Sequence, residues 1–249
     1  MLSFLKNNVD STIRITGDSM SDFNQPLSRG DYASTPSVKN RVLRNTYWLL
    51  AASLIPTILG AALALQLNLN TLLSPGISTI VFLAGAFGLM FAVERNKNSS
   101  AGIVWLMAFT FFMGIMLSRM LGFVLSMNNG AQLIMMAFGG TAAIFAAMAT
   151  VATTSKRDFT GMQKTLFIGA VVLILAAIAN IFLQIPALVL TISVLAMIIF
   201  SAFMLVDIQR IVNGGETNYI SATMAIYLDI YNVFTSLLSI LGITGGNSD

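Results

Sequence analysis

Seven apolar stretches, each near the ~20 residues a helix needs to cross ~30 Å of hydrocarbon, recur along the chain and constrain its fold more than any other feature. They run at about Thr46–Leu67, Gly76–Val93, Ala101–Met127, Ala131–Thr153, Thr165–Leu183, Ala187–Ile211 and Tyr219–Ile243. Inside lipid every backbone N–H and C=O must find its partner within the protein, so an apolar stretch of this length is a helix. The expected fold class is therefore all-α integral membrane, with seven transmembrane helices. Composition agrees: 56% of the residues are hydrophobic and only 9% charged, against about 25% charged in soluble domains. The chain has no Cys and no His. That removes disulfides, zinc or haem ligation by those side chains, and any Ser-His or Cys-His nucleophile.

The ends and connections read differently from the spans. Residues 1–38 are polar, rich in Ser, Asp, Asn and Thr, with Pro26 and Pro36 and no sustained period, which predicts a disordered tail. Its opening Met-Leu-Ser-Phe-Leu-Lys is too short for the core of a signal peptide. Residues 39–243 form the membrane domain, and 244–249 a short C-terminal tail. Pro75 and Pro186 stand at helix starts, where a missing N–H does little harm. Asn128-Asn129-Gly130 and Gly214-Gly215 mark turns, and Thr217 or Asn218 is placed to cap the last helix. The fourth span is crowded with Gly139, Gly140, Ala142, Ala143, Ala146 and Ala147, small residues that let backbones approach closely; it is expected to be a packed interior helix.

The thirteen basic residues fix an orientation. With the N-terminus inside, Lys6, Arg14, Arg29, Lys39, Arg41 and Arg44 precede the first span. Arg95 and Lys97 lie in the second–third loop, Lys156, Arg157 and Lys164 in the fourth–fifth, and Arg210 at the sixth–seventh connection. Basic residues hold flanks in the cytoplasm, so all twelve sit inside and the outer loops carry none. The net charge of +3 is an orientation device, and no nucleic-acid partner is expected. The thirteenth is Arg119, roughly 27 Å along the third span at 1.5 Å per residue. It lies toward the outer face, either snorkelling to lipid headgroups or lining an outer vestibule.

Two acids interrupt the apolar pattern. Asp229 lies well inside the last span, and at helical spacing Asp229, Asn232, Ser236 and Ser239 form one polar stripe. Asp207 lies at the inner end of the span before it, so a short turn brings the two carboxylates onto adjacent helices. A charge at mid-membrane costs from roughly a few to more than ten kcal/mol, so such residues persist when partnered, protonated or wetted. Two close carboxylates share a proton and make a pH-responsive pair. They also suit a transient Ca2+, although two are far short of the ~6–8 oxygen ligands that ion prefers. The bland alternative is a helix–helix hydrogen bond made by a protonated Asp. An intramembrane aspartyl protease wants Tyr-Asp on one helix and Gly-x-Gly-Asp on the next; here Leu205-Val206 and Tyr227-Leu228 precede the acids, with Ile226 where glycine is required. No catalytic residue and no cofactor are expected.

Longer strings carry a family resemblance. Ile211-Val-Asn-Gly-Gly-Glu-Thr-Asn-Tyr-Ile220, Leu228-Asp-Ile-Tyr-Asn232 and Ser236-Leu-Leu-Ser-Ile-Leu-Gly242 resemble the C-terminal signature of the Bax-inhibitor (TMBIM) membrane family, and its bacterial YccA branch most closely. Val42 to Thr46, Phe109 to Gly114, Gly139 to Thr141, Thr153 to Asp158 and Ile181 to Ala187 extend the likeness over about Lys39 to Ile243. The resemblance implies six helices surrounding a central C-terminal helix, in a bacterial inner membrane with the N-terminus cytoplasmic and the C-terminus periplasmic. It implies one of two activities: modulation of FtsH, the membrane-anchored AAA protease, or a pH-sensitive Ca2+ leak using a diaspartyl sensor. The sensor positions correspond to Asp207 and Asp229, and Asp at both departs from the YccA pattern toward the leak type. The sensor's arginine partner comes from the second helix, where Arg95 is the candidate. Arg119 stands where the family commonly has Pro and takes no family role. The expected partners are membrane lipid, FtsH through the cytoplasmic tail, and Ca2+ or H+.

Overall fold

A computed structural model describes residues 36–69 and 74–245 of the 249-residue chain. Residues 1–35, most of the expected tail, and 246–249 lie outside the described residues. Seven α-helices run in order: α1 (Pro36–Gln66), α2 (Pro75–Asn96), α3 (Ser100–Leu125), α4 (Gly130–Thr154), α5 (Gln163–Leu183), α6 (Pro186–Asn213) and α7 (Tyr219–Gly245), with a 3-10 turn at Thr160–Met162 before α5. All seven are long and apolar enough to span a membrane, and no strand occurs among the described residues. The boundaries follow the apolar runs closely except at α1. That helix begins at Pro36, so Lys39, Arg41 and Arg44 ride on its first turns instead of in an irregular flank.

Local chemistry ends the helices where the sequence indicates. Pro75 and Pro186 each occupy the first turn of their helix. Gly214 closes α6 in the left-handed region at φ 81°, and the Gly215 N–H donates to the Arg210 carbonyl at 2.8 Å, a glycine-closed C-terminus. Asn218 caps α7: its Oδ1 accepts from the N–H groups of Ile220 (2.9 Å) and Ser221 (3.2 Å), as expected of an N-cap amide. The α5–α6 turn is the tightest. Gln184 adopts φ 53°, and the buried Asn180 accepts from the Ile185 N–H through its side chain at 3.0 Å.

The core lies among α1, α2, α3, α6 and α7. Leu106, Phe109, Thr110, Met113, Gly114 and Leu117 are the buried face of α3, a spacing of three and four that defines one side of a helix. Phe109 meets Tyr227 of α7 edge-on, with ring centres 5.9 Å apart. α1 and α3 approach until backbones touch. A Cβ on Gly114 would fall 2.0 Å from the Thr57 carbonyl oxygen, and one on Gly60 would fall 2.2 Å from that of Phe111. α7 packs against α6, α4, α1, α3 and α2, while α5 packs on α6 and the 3-10 turn.

The expectation of an interior α4 is corrected. Only Gly130, Leu133, Ala137, Thr141 and Ala152 of this helix are buried, along one narrow edge facing α6 and α7. Gly139 meets open space where a Cβ would stand, and Gly140 meets only the tip of Leu237. Small residues permit close approach, but burial follows the partner surfaces, and here they cover a single edge of the helix.

Candidate functional site

Asp229 occupies the interior of α7, 4% exposed, and its Oδ2 is buried with no hydrogen-bond partner among the described residues. Asp207 stands near the end of α6, its side chain 14% exposed, with Oδ1 3.8 Å from Nη1 of Arg210 one turn along. The short Gly214–Asn218 connection folds α7 back along α6, so the two acids that the sequence places on separate spans stand on helices packed against each other.

The rest of the stripe also faces protein. Ser236 is buried, the Asn232 amide donates to the Leu228 carbonyl at 2.8 Å, and Ser193 of α6 donates to the Ser239 hydroxyl at 2.9 Å. A second polar line runs beside it. The Tyr227 and Thr57 hydroxyls are 2.9 Å apart, Thr57 donates to the Ser53 carbonyl, and the Tyr231 hydroxyl donates to the Met113 carbonyl at 3.4 Å.

The two arginines fall elsewhere. Arg95 is exposed at the end of α2 and forms no ion pair with either acid; Arg210, which the sequence reading passed over, is the cation beside Asp207. It lies at i+3 on the same helix, a spacing that signals contact without a partner helix. Arg119 donates to the Ser78 hydroxyl at 2.9 Å and lines a cleft with Tyr231 and Thr235. At 100° per residue that face of α7 is roughly a quarter turn from the Asp229 stripe. Arg119 and the acids are therefore two separate features.

Structure adds residues that carry no span-breaking charge and so gave no signal. Gln209, two residues beyond Asp207 and 2% exposed, donates to the Arg157 carbonyl at 2.7 Å and accepts from the Phe159 N–H at 2.6 Å. It clamps the α4–α5 connection under α6. Beside it, the Thr160 hydroxyl and N–H donate to Asp158 and hold its carboxyl below the ordinary carboxylate range. Glu94 pairs with Lys97 and accepts from the Ser221 hydroxyl at 3.0 Å, while the Asn218 amide donates to the Lys97 carbonyl at 2.9 Å. These contacts lash the α2–α3 turn to the head of α7.

Chemically the arrangement is a buried carboxyl in the interior of α7 and a half-screened one on α6, the helix packed beside it. An uncompensated charge at the buried position would be costly. Among the described residues no three His, Cys, Asp or Glu side chains group to hold a metal; two carboxylates would need most of a cation's oxygens from elsewhere.

Comparisons with known proteins follow the same stretch of chain. The family described as inhibitor of apoptosis-promoting Bax1 matches residues 39–246. A membrane protein of Vibrio cholerae is 42% identical over 208 residues, covering 84% of this chain and 92% of its own. The modulator of FtsH protease YccA from Escherichia coli K12 is 42% identical over 203 residues, covering 82% of this chain and 90% of its own. A Campylobacter jejuni protein is 34% identical over 225 residues, 89% of this chain and 97% of its own. Seven membrane-length helices, their order, and similarity along nearly the whole of these relatives place this multi-pass inner-membrane chain in the Bax1-inhibitor family.

Proposed function

We propose that this protein is a non-enzymatic regulator of the membrane-anchored AAA protease FtsH. The observation that carries this reading is the 42% identity to a relative named as a modulator of that protease, extending over 90% of the relative's length. Residues 1–35, polar and lacking in sequence the apolar content for a core, are the segment proposed for the protease to engage. In the orientation expected from the basic connections, that segment and the Gln209 clamp would face the cytoplasm, within reach of the protease's ATPase. Co-purification of the full chain with FtsH, and slower degradation of a membrane substrate in its presence, are the expected results. Deleting residues 1–35 weakens the effect. No association, with identical degradation at every ratio of the two proteins, overturns the proposal.

The buried Asp229 favours a second reading of the same hairpin, a proton-controlled cation leak through the Asp207–Asp229 pair. Its support is the burial of an acid whose Oδ2 has no partner among the described residues, together with a neighbouring carboxylate. Liposomes holding the protein and a Ca2+ indicator test it. Flux that changes between acidic and neutral pH in the wild type, and not in Asp229→Asn, supports the leak; equal flux in both variants at both pH values removes it.

A further inference from the structure

Arg119 is the one described cation placed along the length of a helix away from the basic connections, and its side chain is exposed at the surface of the bundle. The described acids other than Asp229 (Glu94, Asp158, Asp207 and Glu216) all lie at or near the α2–α3, α4–α5 and α6–α7 connections, at the opposite end. The ion pairs among the described residues are Glu94–Lys97 and Asp207–Arg210. Arg119 therefore has no carboxylate to neutralise it. Instead it is aimed by the Ser78 hydroxyl, at 2.9 Å, into a cleft of about 390 Å³ between α2, α3 and α7.

The chemistry of that cleft is graded with depth. Counting 1.5 Å per residue from the helix ends, Ser78 lies roughly 5 Å and Arg119 roughly 9 Å in, while Phe82, Met116 and Thr235 lie roughly 10–15 Å in. The mouth is cationic and hydroxylated, and the walls below are mainly apolar, with the rings of Phe82 and Tyr231 among them. An amphiphile has the same order: a charged head at the boundary, hydrocarbon below it. A guanidinium fork matches phosphate oxygens, most favourably where the headgroup carries no ammonium of its own to compensate them, and one N–H already fixed on Ser78 sets its plane.

We propose that this cleft binds an anionic glycerophospholipid of the adjoining leaflet, with its phosphate on Arg119 and Ser78 and the first stretch of an acyl chain against Phe82 and Met116. Because Tyr231 and Thr235 form its back wall, the lipid touches α7 directly on the face away from Asp229. A bound lipid is thereby a structural element of the bundle and not only its solvent.

The test uses the full chain in phosphatidylcholine vesicles doped with a phosphatidylglycerol carrying a diazirine high on one acyl chain, and locates the crosslinks by peptide mass spectrometry. Labelling at Phe82 and Met116 is expected, and unlabelled phosphatidylglycerol competes it away. Arg119→Gln lowers it roughly tenfold, as loss of a charge-assisted contact predicts. Arg119→Lys keeps part of it, and Ser78→Ala, which alters only the mouth, lowers it less than Arg119→Gln. A diazirine phosphatidylcholine that labels the cleft equally well overturns the proposal, as does labelling unchanged in Arg119→Gln. Competition by inorganic phosphate alone overturns the lipid in favour of a free-anion site.

Discussion

Gln209 shows how much a single uncharged side chain does here. It satisfies two backbone groups of the α4–α5 connection from within a buried setting, so Gln209→Leu strands a donor and an acceptor. The expected cost is about 1–3 kcal/mol, read as a lowered melting temperature in detergent and faster hydrogen exchange across residues 157–162. Asp158 nearby gives a pH signature. Its carboxyl titrates lower folded than unfolded, so its contribution is full above the ordinary carboxylate range and fades as pH falls through the depressed folded value. Exchange protection of the Thr160 amide should therefore drop in acid in the wild type, whereas Asp158→Ala should lack that protection at every pH. Both acids of the candidate site were legible in the sequence because a carboxylate inside an apolar run breaks the pattern. Gln209 and Arg210 were not, since a polar residue at the end of a span looks like an ordinary flank until the connection folds over it.

At the scale of helices, contact and composition separate. Gly114 and Gly60 sit where α1 and α3 touch backbone to backbone, so Gly114→Ala must push the helices apart. We expect a loss of about 1–3 kcal/mol or more. Gly139→Ala, which meets open space, should leave thermal stability unchanged or raise it slightly, since alanine is the better helix former. Melting curves of the two variants side by side check both statements. Nothing in the sequence shows which of the two glycines meets another backbone, because each sits inside an apolar helix. The fourth span's crowd of small residues suggested burial. Only the positions of α6 and α7 reveal which edge is covered. By contrast, the helix ends were readable from local chemistry alone: Pro at a first turn, Gly214 at a last one, and Asn218 as a cap each act within a few residues of themselves.

For the molecule as a whole, the apolar runs dictated the number and order of helices, and the distribution of basic residues predicts an orientation that can be measured directly. Because the chain has no native Cys, single substitutions report topology cleanly. Asn129→Cys should react with an impermeant maleimide from the outside of intact spheroplasts, and Ser155→Cys only after lysis; the reverse pattern would invert the assigned orientation. Which helices neighbour one another was not readable, since a span's hydrophobicity is the same whether lipid or another helix meets it. The α1–α3 crossing has a mechanical corollary. Two rods whose carbonyls already touch their opposite glycines have no room to slide, so they move as a single beam. A tilt of the α6–α7 hairpin would then be taken up against a fixed support.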